Sequence, residues 1–94
     1  MPVEFDAAKD KANIAKHGVS LVRTADLEIL AVIEDDRNDY GEVRYRAWGL
    51  IDGVAHCLVF TDRKGVVRAI SLRRAHNKEM DRYAPPKDRQ RREP

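Results

Sequence analysis

The chain has one cysteine, few aromatic residues and no long apolar run. Cys57 has no second cysteine to pair with, so an intrachain disulfide and a cysteine-rich zinc site are excluded. No apolar stretch approaches the roughly 18 residues that a membrane helix needs, and the first residues lack the basic and apolar segments of a secretion signal. We therefore expect a cytoplasmic protein that does not bind a membrane.

A length of 94 residues leaves room for one domain with one modest core. The charge is unevenly distributed: residues 1–40 hold 5 basic and 9 acidic side chains, and residues 41–94 hold 13 basic and 7 acidic ones. The basic part is suited to a polyanion and the acidic part to a basic partner. An asymmetry of this size is equally typical of a solvated surface.

The first helix is the best-defined local element. Asp6 is a suitable N-cap and Gly18 a suitable left-handed stop, which predicts a helix over residues 7–17. Ser20 is the predicted N-cap of a second, short helix that ends near Glu28. The apolar stripe of the first helix is Phe5, Ala8, Ala12 and Ala15. A second stripe is polar and is either a phosphate-binding face or a solvated one: Lys9, Asn13, Lys16 and His17.

A series of strands follows, over residues 29–34, 42–51, 54–61 and 66–73. In the second of these, alternation places Arg44, Arg46 and Trp48 together on the face away from the core. In the last, alternation places Arg68 and Arg73 on opposite faces, so the pattern does not say which arginine points outward. A helix over residues 74–83 ends the domain. The sequence thus predicts an α+β fold with N-terminal helices, an antiparallel sheet of about four strands and a C-terminal helix.

Three further side chains have simple structural interpretations. His56 lies inside a predicted central strand and is expected to be a hydrogen-bonded core histidine, and Cys57 a small buried residue. Trp48 beside two arginines would either stack on a nucleobase or pack against a partner helix. No cluster of metal-ligand residues is evident, so no metal or cofactor is expected.

Several motifs follow one another in an order that resembles one family. They are Asp6-Ala7-Ala8-Lys9, Asn13, Lys16-His17-Gly18-Val19-Ser20, Arg44-Tyr45-Arg46-Ala47-Trp48-Gly49, Thr61-Asp62-Arg63 and Ile70-Ser71-Leu72-Arg73-Arg74-Ala75, with Glu79 and Tyr83 after them. Over about residues 3–83, this order resembles the BrnT toxins of bacterial type II toxin–antitoxin systems.

The resemblance implies a RelE-like fold and a metal-independent endoribonuclease that cleaves RNA to inhibit translation and growth. It also implies a ribbon-helix-helix antitoxin of the BrnA type, which neutralises the toxin and takes it to promoter DNA. Residues 1–83 would form the toxin domain, and residues 84–94, which are basic and rich in proline, a disordered tail.

RNA cleavage without a metal needs a base for the 2′-OH proton, cations for the phosphorane and an acid for the leaving 5′-oxygen. His17 is the natural titratable group because an imidazole changes charge near neutral pH. The candidate catalytic residues are His17, Arg68, Arg73 and Tyr83. The candidate RNA contacts are Lys9, Asn13, Lys16, Arg44, Arg46, Arg63 and Arg74.

Two other functions remain open from the sequence. One is a binding module that contacts nucleic acid or an antitoxin without catalysis, which predicts salt-sensitive RNA binding and no cleavage products. The other is an inactive partner that only helps the antitoxin repress transcription.

Overall fold

The computed structural model describes residues 2–85, which form one α+β domain. Its elements are β1 (Val3–Glu4), α1 (Ala7–His17), a 3₁₀ helix (Leu21–Asp26), β2 (Glu28–Asp35), β3 (Arg44–Ile51), β4 (Val54–Arg63), β5 (Val66–Arg74) and α2 (Asn77–Tyr83). The strands form one sheet in the order β1-β5-β4-β3-β2. The predicted α+β class is therefore confirmed, but the sheet has five strands rather than four.

The additional strand is β1, which is only two residues long and pairs in parallel with β5. Two residues give no alternation to detect, so this strand is invisible in the sequence pattern. β1 covers the edge of β5 at Val67 and Arg68 only. Beyond Arg68, α1 lies against that edge.

The sheet carries an apolar cluster on each face. The larger cluster, under α1 and the 3₁₀ helix, is formed by Leu21, Leu27, Ala47, Ile51, Leu58, Phe60, Ala69 and Leu72. The smaller cluster, under α2, is formed by Trp48, Cys57, Met80 and Ala84. Both faces of β3 and β4 therefore carry buried apolar residues, Ala47 and Leu58 on one face and Trp48 and Cys57 on the other.

The ends of α1 lie where the sequence predicts them. The Asp6 carboxylate accepts hydrogen bonds from the N–H groups of Ala8 and Lys9, and Gly18 ends the helix at a φ of 73°. The Ser20 hydroxyl caps the next helix by accepting from the N–H of Val22. That second helix is a 3₁₀ helix and ends at residue 26, two residues earlier than predicted.

The face that α1 turns inward is not the predicted one. The alanine stripe at positions 8, 12 and 15 is exposed, whereas Asp10, Asn13 and His17 are partly or fully buried. The reason is that α1 lies against a strand edge, whose backbone groups need polar partners. Asp10, nearer the helix start, faces the 3₁₀ helix instead, where its Oδ1 accepts from the Ser20 hydroxyl at 3.0 Å and the Leu21 N–H at 2.7 Å.

Asn13 completes the edge of β5. Its Nδ2 donates to the carbonyl of Leu72 at 2.7 Å and to that of Val19 at 2.9 Å, and its Oδ1 accepts from the N–H of Leu72 at 3.1 Å. The side-chain amide thus pairs with Leu72 as the backbone of a neighbouring strand would. Asn13 is 5% exposed, so the predicted role of this residue as an RNA contact does not fit its position.

A β-bulge in β5 decides where the arginines point. The pairing of β4 with β5 passes from Val59–Ser71 to Phe60–Ala69, so Ile70 is an extra residue. The extra residue reverses the alternation, and as a result Arg68 and Arg73 lie on the same face of the sheet, the one that carries α2. The prediction from alternation that these two arginines lie on opposite faces is therefore wrong.

Trp48 shares a face with Arg44 and Arg46 as predicted, but this face has a core of its own. α2 covers Trp48 completely, so the side chain is 0% exposed. Its ring stacks on Tyr83 with centroids 4.1 Å apart and an interplanar angle of 10°. Trp48 therefore packs against a helix of its own chain, and neither a nucleobase nor a partner helix has access to its ring.

The C-terminal helix begins at residue 77 rather than 74 because β5 continues to Arg74 and the N–H of Ala75 still donates to the carbonyl of Ala55. Ala84 is fully buried in the smaller cluster, so the packed domain reaches at least that residue. The remainder of the predicted tail, residues 86–94, lies outside the described residues.

The Asn13 contact predicts a large loss of stability on truncation. Asn13→Ala leaves the N–H and carbonyl of Leu72 without their partner, so we expect the free energy of unfolding to fall by about 2–4 kcal/mol. Asn13→Asp, nearly isosteric, should cost at least as much because a carboxylate would face two carbonyl oxygens. Urea unfolding measures both, with the exposed Lys11→Ala on the same helix as the control. A loss in Asn13→Ala no larger than that in Lys11→Ala would contradict this assignment.

Candidate functional site

The end of α1 lies beside the end of β5, and both ends carry basic side chains. α1 contributes Lys16 and His17 from its last turn, and β5 contributes Arg73 and Arg74 as its last two residues. The bonds of Asn13 to Leu72 hold the two elements together at this point. We call this group of four residues, Lys16, His17, Arg73 and Arg74, the α1–β5 corner.

Two clefts open beside this corner and share His17. The first, of about 310 Å³, runs along α1 and is lined by Lys9, Lys16, His17 and Ser71, among others. The second, of about 290 Å³, lies at the end of the sheet and is lined by His17, His56, Arg74, Arg23 and Asp52, among others. His17 is thus the one residue common to both clefts, with a cation on either side of it.

The surroundings of His17 disfavour its charged form. Partial burial lowers the pKa of His17 from its ordinary value of 6.5, and the positive charges of Lys16 and Arg73 lower it further. The imidazole is therefore mostly neutral at pH 7. A neutral imidazole beside two cations is equipped to take a proton from a hydroxyl whose phosphate the cations attract.

Arg73 is held by Glu79 of α2 in a two-point contact. Its Nη1 donates to Oε1 of Glu79 at 2.9 Å and its Nη2 to Oε2 at 2.6 Å. The indole N–H of Trp48 donates to Oε2 at 3.0 Å, and the N–H of His76 to Oε1 at 3.3 Å. These donors lower the pKa of Glu79 to about 2, with Arg73 the largest contributor. The network fixes the guanidinium of Arg73 on the face of the sheet that carries α2, and 35% of the side chain stays exposed.

Arg74 has a different environment. It is exposed and faces the opposite side of the sheet from Arg73, beside His56 in the strand register. Within residues 2–85, its guanidinium makes no ion pair. Of the two arginines, Arg74 is therefore the one whose positive charge is not offset by a bound carboxylate.

A second basic surface lies under and beside α2. The guanidinium of Arg46 lies over the rings of Trp48 and Tyr83, at 5.1 and 5.3 Å from their centroids, and that of Arg44 lies 4.1 Å over Tyr40. The Nε atoms of both arginines are buried and have no hydrogen-bond partner within residues 2–85. Stacking on aromatic rings leaves the outer edges of these guanidinium groups available for an anion.

The structure separates the other predicted site residues from the corner. Arg68 pairs with Glu4 at 3.4 Å near the start of β5, and Arg63 lies 3.7 Å from Glu42 at the end of β4. Tyr83 has one ring face covered by Trp48. The predicted catalytic residues therefore do not form one cluster: His17 and Arg73 are near each other, whereas Arg68 and Tyr83 lie elsewhere on the face that carries α2.

Two residues of this region were not among the predicted site residues. Glu79 organises Arg73 and Trp48, and its position three residues after His76 fits the spacing of a helix capping box. His56 is a hydrogen-bonded, buried histidine as predicted, 7% exposed, but it also lines the second cleft. No sequence pattern shows that contact, because it depends on the pairing of His56 with Arg74 across the sheet.

Neither a metal site nor a membrane helix is found in the described part of the chain. Within residues 2–85, no three His, Cys, Asp or Glu side chains are grouped so that they could hold a metal ion. No helix in that range is both long and apolar enough to cross a membrane.

Comparison with known proteins identifies similar chains. The model of a family described as "Ribonuclease toxin, BrnT, of type II toxin-antitoxin system" matches residues 5–79. Among solved structures, the crystal structure of the Brucella abortus ribonuclease toxin, BrnT, is similar, with a TM-score of 0.63 and 23% sequence identity over 82% of this chain and 99% of that one. At this identity, the likeness shows a shared fold. No curated protein sequence matches the chain.

The Glu79 network predicts a pH-dependent contribution to stability. Because the pKa of Glu79 is lowered from 4.5 to about 2, its ionised form stabilises the fold above pH 4.5, and this stabilisation is lost as the pH falls toward 2. Glu79→Gln should lower the free energy of unfolding at pH 7 by about 2 kcal/mol, and the difference from wild type should shrink between pH 4.5 and 2.

Chemical denaturation over pH 2–7 tests this expectation. The control is Glu42→Gln, which removes an exposed ion pair and should cost less than about 1 kcal/mol at any pH. If Glu79→Gln were no more costly at pH 7 than Glu42→Gln, the network would not stabilise the fold as described.

Proposed function

Because the chain belongs to the BrnT family of ribonuclease toxins of type II toxin–antitoxin systems, we propose that its RNA-cleaving centre is the α1–β5 corner. As a member of this family, the chain is a toxin that acts as an endoribonuclease. The observation that carries the proposal is the position of His17. This histidine lines both clefts, is kept mostly neutral, and lies between cations of α1 and β5.

The proposed reaction uses the corner without a metal ion. The RNA strand runs from one cleft to the other, so that the scissile phosphate lies at His17, where the clefts meet. The neutral imidazole takes the proton of the 2′-OH as its oxygen attacks phosphorus. Lys16 and Arg74 stabilise the negative charge that develops on the phosphorane, and Arg73, which Glu79 holds on the other face of the sheet, adds positive potential from a fixed position.

The second basic surface has a supporting role in this proposal. Arg44 and Arg46, stacked on aromatic rings with their outer edges available, would bind phosphates of the RNA chain away from the cleavage point. Lys9, in the first cleft, would bind a phosphate next to the scissile one. Arg68, Arg63 and Tyr83 are not assigned to cleavage because they lie away from His17 or are engaged by other side chains.

We infer the partners of the protein from its family and from the positive charge of the corner. The antitoxin is expected to be a ribbon-helix-helix protein of the BrnA type that blocks the corner and carries the toxin to promoter DNA. We also propose that the fold is related to that of RelE and that the protein acts in the cytoplasm. An antitoxin segment that replaces RNA at the corner would need acidic side chains, because the residues there are basic.

Loss of the arginines at the corner should abolish toxicity. We expect expression of wild type to stop growth and degrade transcripts. The double variant that carries both Arg73→Ala and Arg74→Ala, expressed at equal abundance, should do neither. Removal of one preorganised cation should lower the cleavage rate by about 10²-fold. Arg63→Ala is the matched control and should stay toxic. Salt-sensitive RNA binding by soluble wild type without cleavage would instead support a non-catalytic binding module.

The protonation state of His17 should set the acidic limb of the pH–rate profile. Because the base must be neutral, kcat/KM should fall as the pH drops through the lowered pKa of His17, below 6.5. Lys16→Gln removes one cause of the lowered pKa, so this limb should move to higher pH. Lys11→Gln, exposed on the same helix, should leave it in place. An acidic limb that persists unchanged in His17→Ala would exclude His17 as the base.

A further inference from the structure

His56 lies on the wall of the second cleft, opposite the end of α1. It is a β4 residue that pairs with Gly49 of β3 on one side and with Arg74 of β5 on the other. The cleft it lines with His17 has a volume of about 290 Å³, enough for part of one nucleotide. Two imidazoles and a guanidinium that has no ion pair within residues 2–85 thus line a single small space.

A hydrogen bond fixes the orientation and the tautomer of His56. Its Nδ1 lies 2.8 Å from the carbonyl oxygen of Val54. Since a carbonyl can only accept, Nδ1 carries the hydrogen and donates it. Nε2 makes no hydrogen bond within residues 2–85, and the residue lines the cleft. Nε2 is therefore the ring atom that is available to give or take a proton.

The charged groups around this imidazole come from every element that borders the cleft. His17 is contributed by α1, Arg74 by β5, Arg23 by the 3₁₀ helix and Asp52 by the β3–β4 turn. The guanidinium of Arg23 is held by Asp52 at 2.7 Å and by Asp26 at 2.9 Å. Among the described residues that line the cleft, Arg74 is thus the cation without a carboxylate partner, and it could hold a phosphate between the two histidines.

From this geometry we propose that His56 is a second catalytic residue, the acid that protonates the leaving 5′-oxygen. The proposal rests on the RNA cleavage assigned to the α1–β5 corner. As the 2′-oxygen forms its bond to phosphorus, His17 accepts the 2′-proton. The bond from phosphorus to the 5′-oxygen breaks, and Nε2–H of protonated His56 donates a proton to that oxygen. One proton is taken and one is given, and the products are a 2′,3′-cyclic phosphate and a 5′-hydroxyl.

The variant His56→Asn removes the acid and keeps the structural bond, because an asparagine Nδ2 can donate to the carbonyl of Val54 in place of Nδ1. His56→Gln is the second variant, for use if His56→Asn does not fold as judged by circular dichroism. The control is His76→Asn, the third histidine, which is exposed at the start of α2 and lines neither cleft. We expect His56→Asn to cleave RNA about 10²-fold or more slowly than wild type.

A substrate whose leaving group needs no acid separates catalysis from structure. The probe is an oligoribonucleotide with sulfur in place of the 5′-bridging oxygen at the bond that wild type cleaves, because a thiolate leaves without protonation. On this probe, His56→Asn should recover to within about tenfold of wild type, whereas His17→Ala, which lacks the base, should stay slow.

Two results would overturn the assignment. An equal loss of rate for His56→Asn on the oxygen and sulfur substrates would show that His56 only shapes the cleft. Full activity of His56→Asn on ordinary RNA, with His17→Ala inactive, would remove His56 from the reaction and leave the corner intact. Absence of cleavage by wild type itself would instead contradict both the corner and the role of His56.

Discussion

A single side-chain amide, that of Asn13, joins the N-terminal helix to the edge of the sheet. β1 is too short to cover β5, and beyond Arg68 the edge would expose backbone groups that no strand pairs with. Asn13 pairs with both the N–H and the carbonyl of Leu72, and it also binds the carbonyl of Val19 just after the helix. The same contact sets the position of α1 along β5 and so brings the last turn of the helix beside the last residues of the strand.

The chemistry of the corner follows from that alignment. His17 is partly buried only because α1 packs through its polar stripe, and it lies near cations only because the two elements end together. On the opposite face, Glu79 holds Arg73 so that its charge is fixed in place, while the bulge at Ile70 turns Arg73 to that face. Packing on both faces of the sheet thus places positive charges near one imidazole, and this placement supports the proton transfer that we propose for His17.

Part of this structure could be predicted from local signals in the sequence. The caps Asp6 and Gly18 act within a few residues of the helix, so its bounds were predictable. The inward face was not, because alanines at helical spacing resemble a core stripe, whereas the contact of Asn13 with Leu72 spans 59 residues. A one-residue bulge likewise leaves no mark in composition but reverses strand alternation. The motifs that resemble the family supplied candidate site residues, and only the pairing of distant strands showed which of these candidates lie near one another.

The most direct test of the account is a crystal structure of the protein with a short RNA whose scissile 2′-hydroxyl is methylated, so that the strand binds but cannot be cleaved. The account predicts a phosphate within hydrogen-bond distance of Arg74, with the modified 2′-oxygen next to a ring nitrogen of His17 and the strand continuing into both clefts. A scissile phosphate on the other face, bound at Arg44 and Arg46 and out of reach of His17, would contradict it.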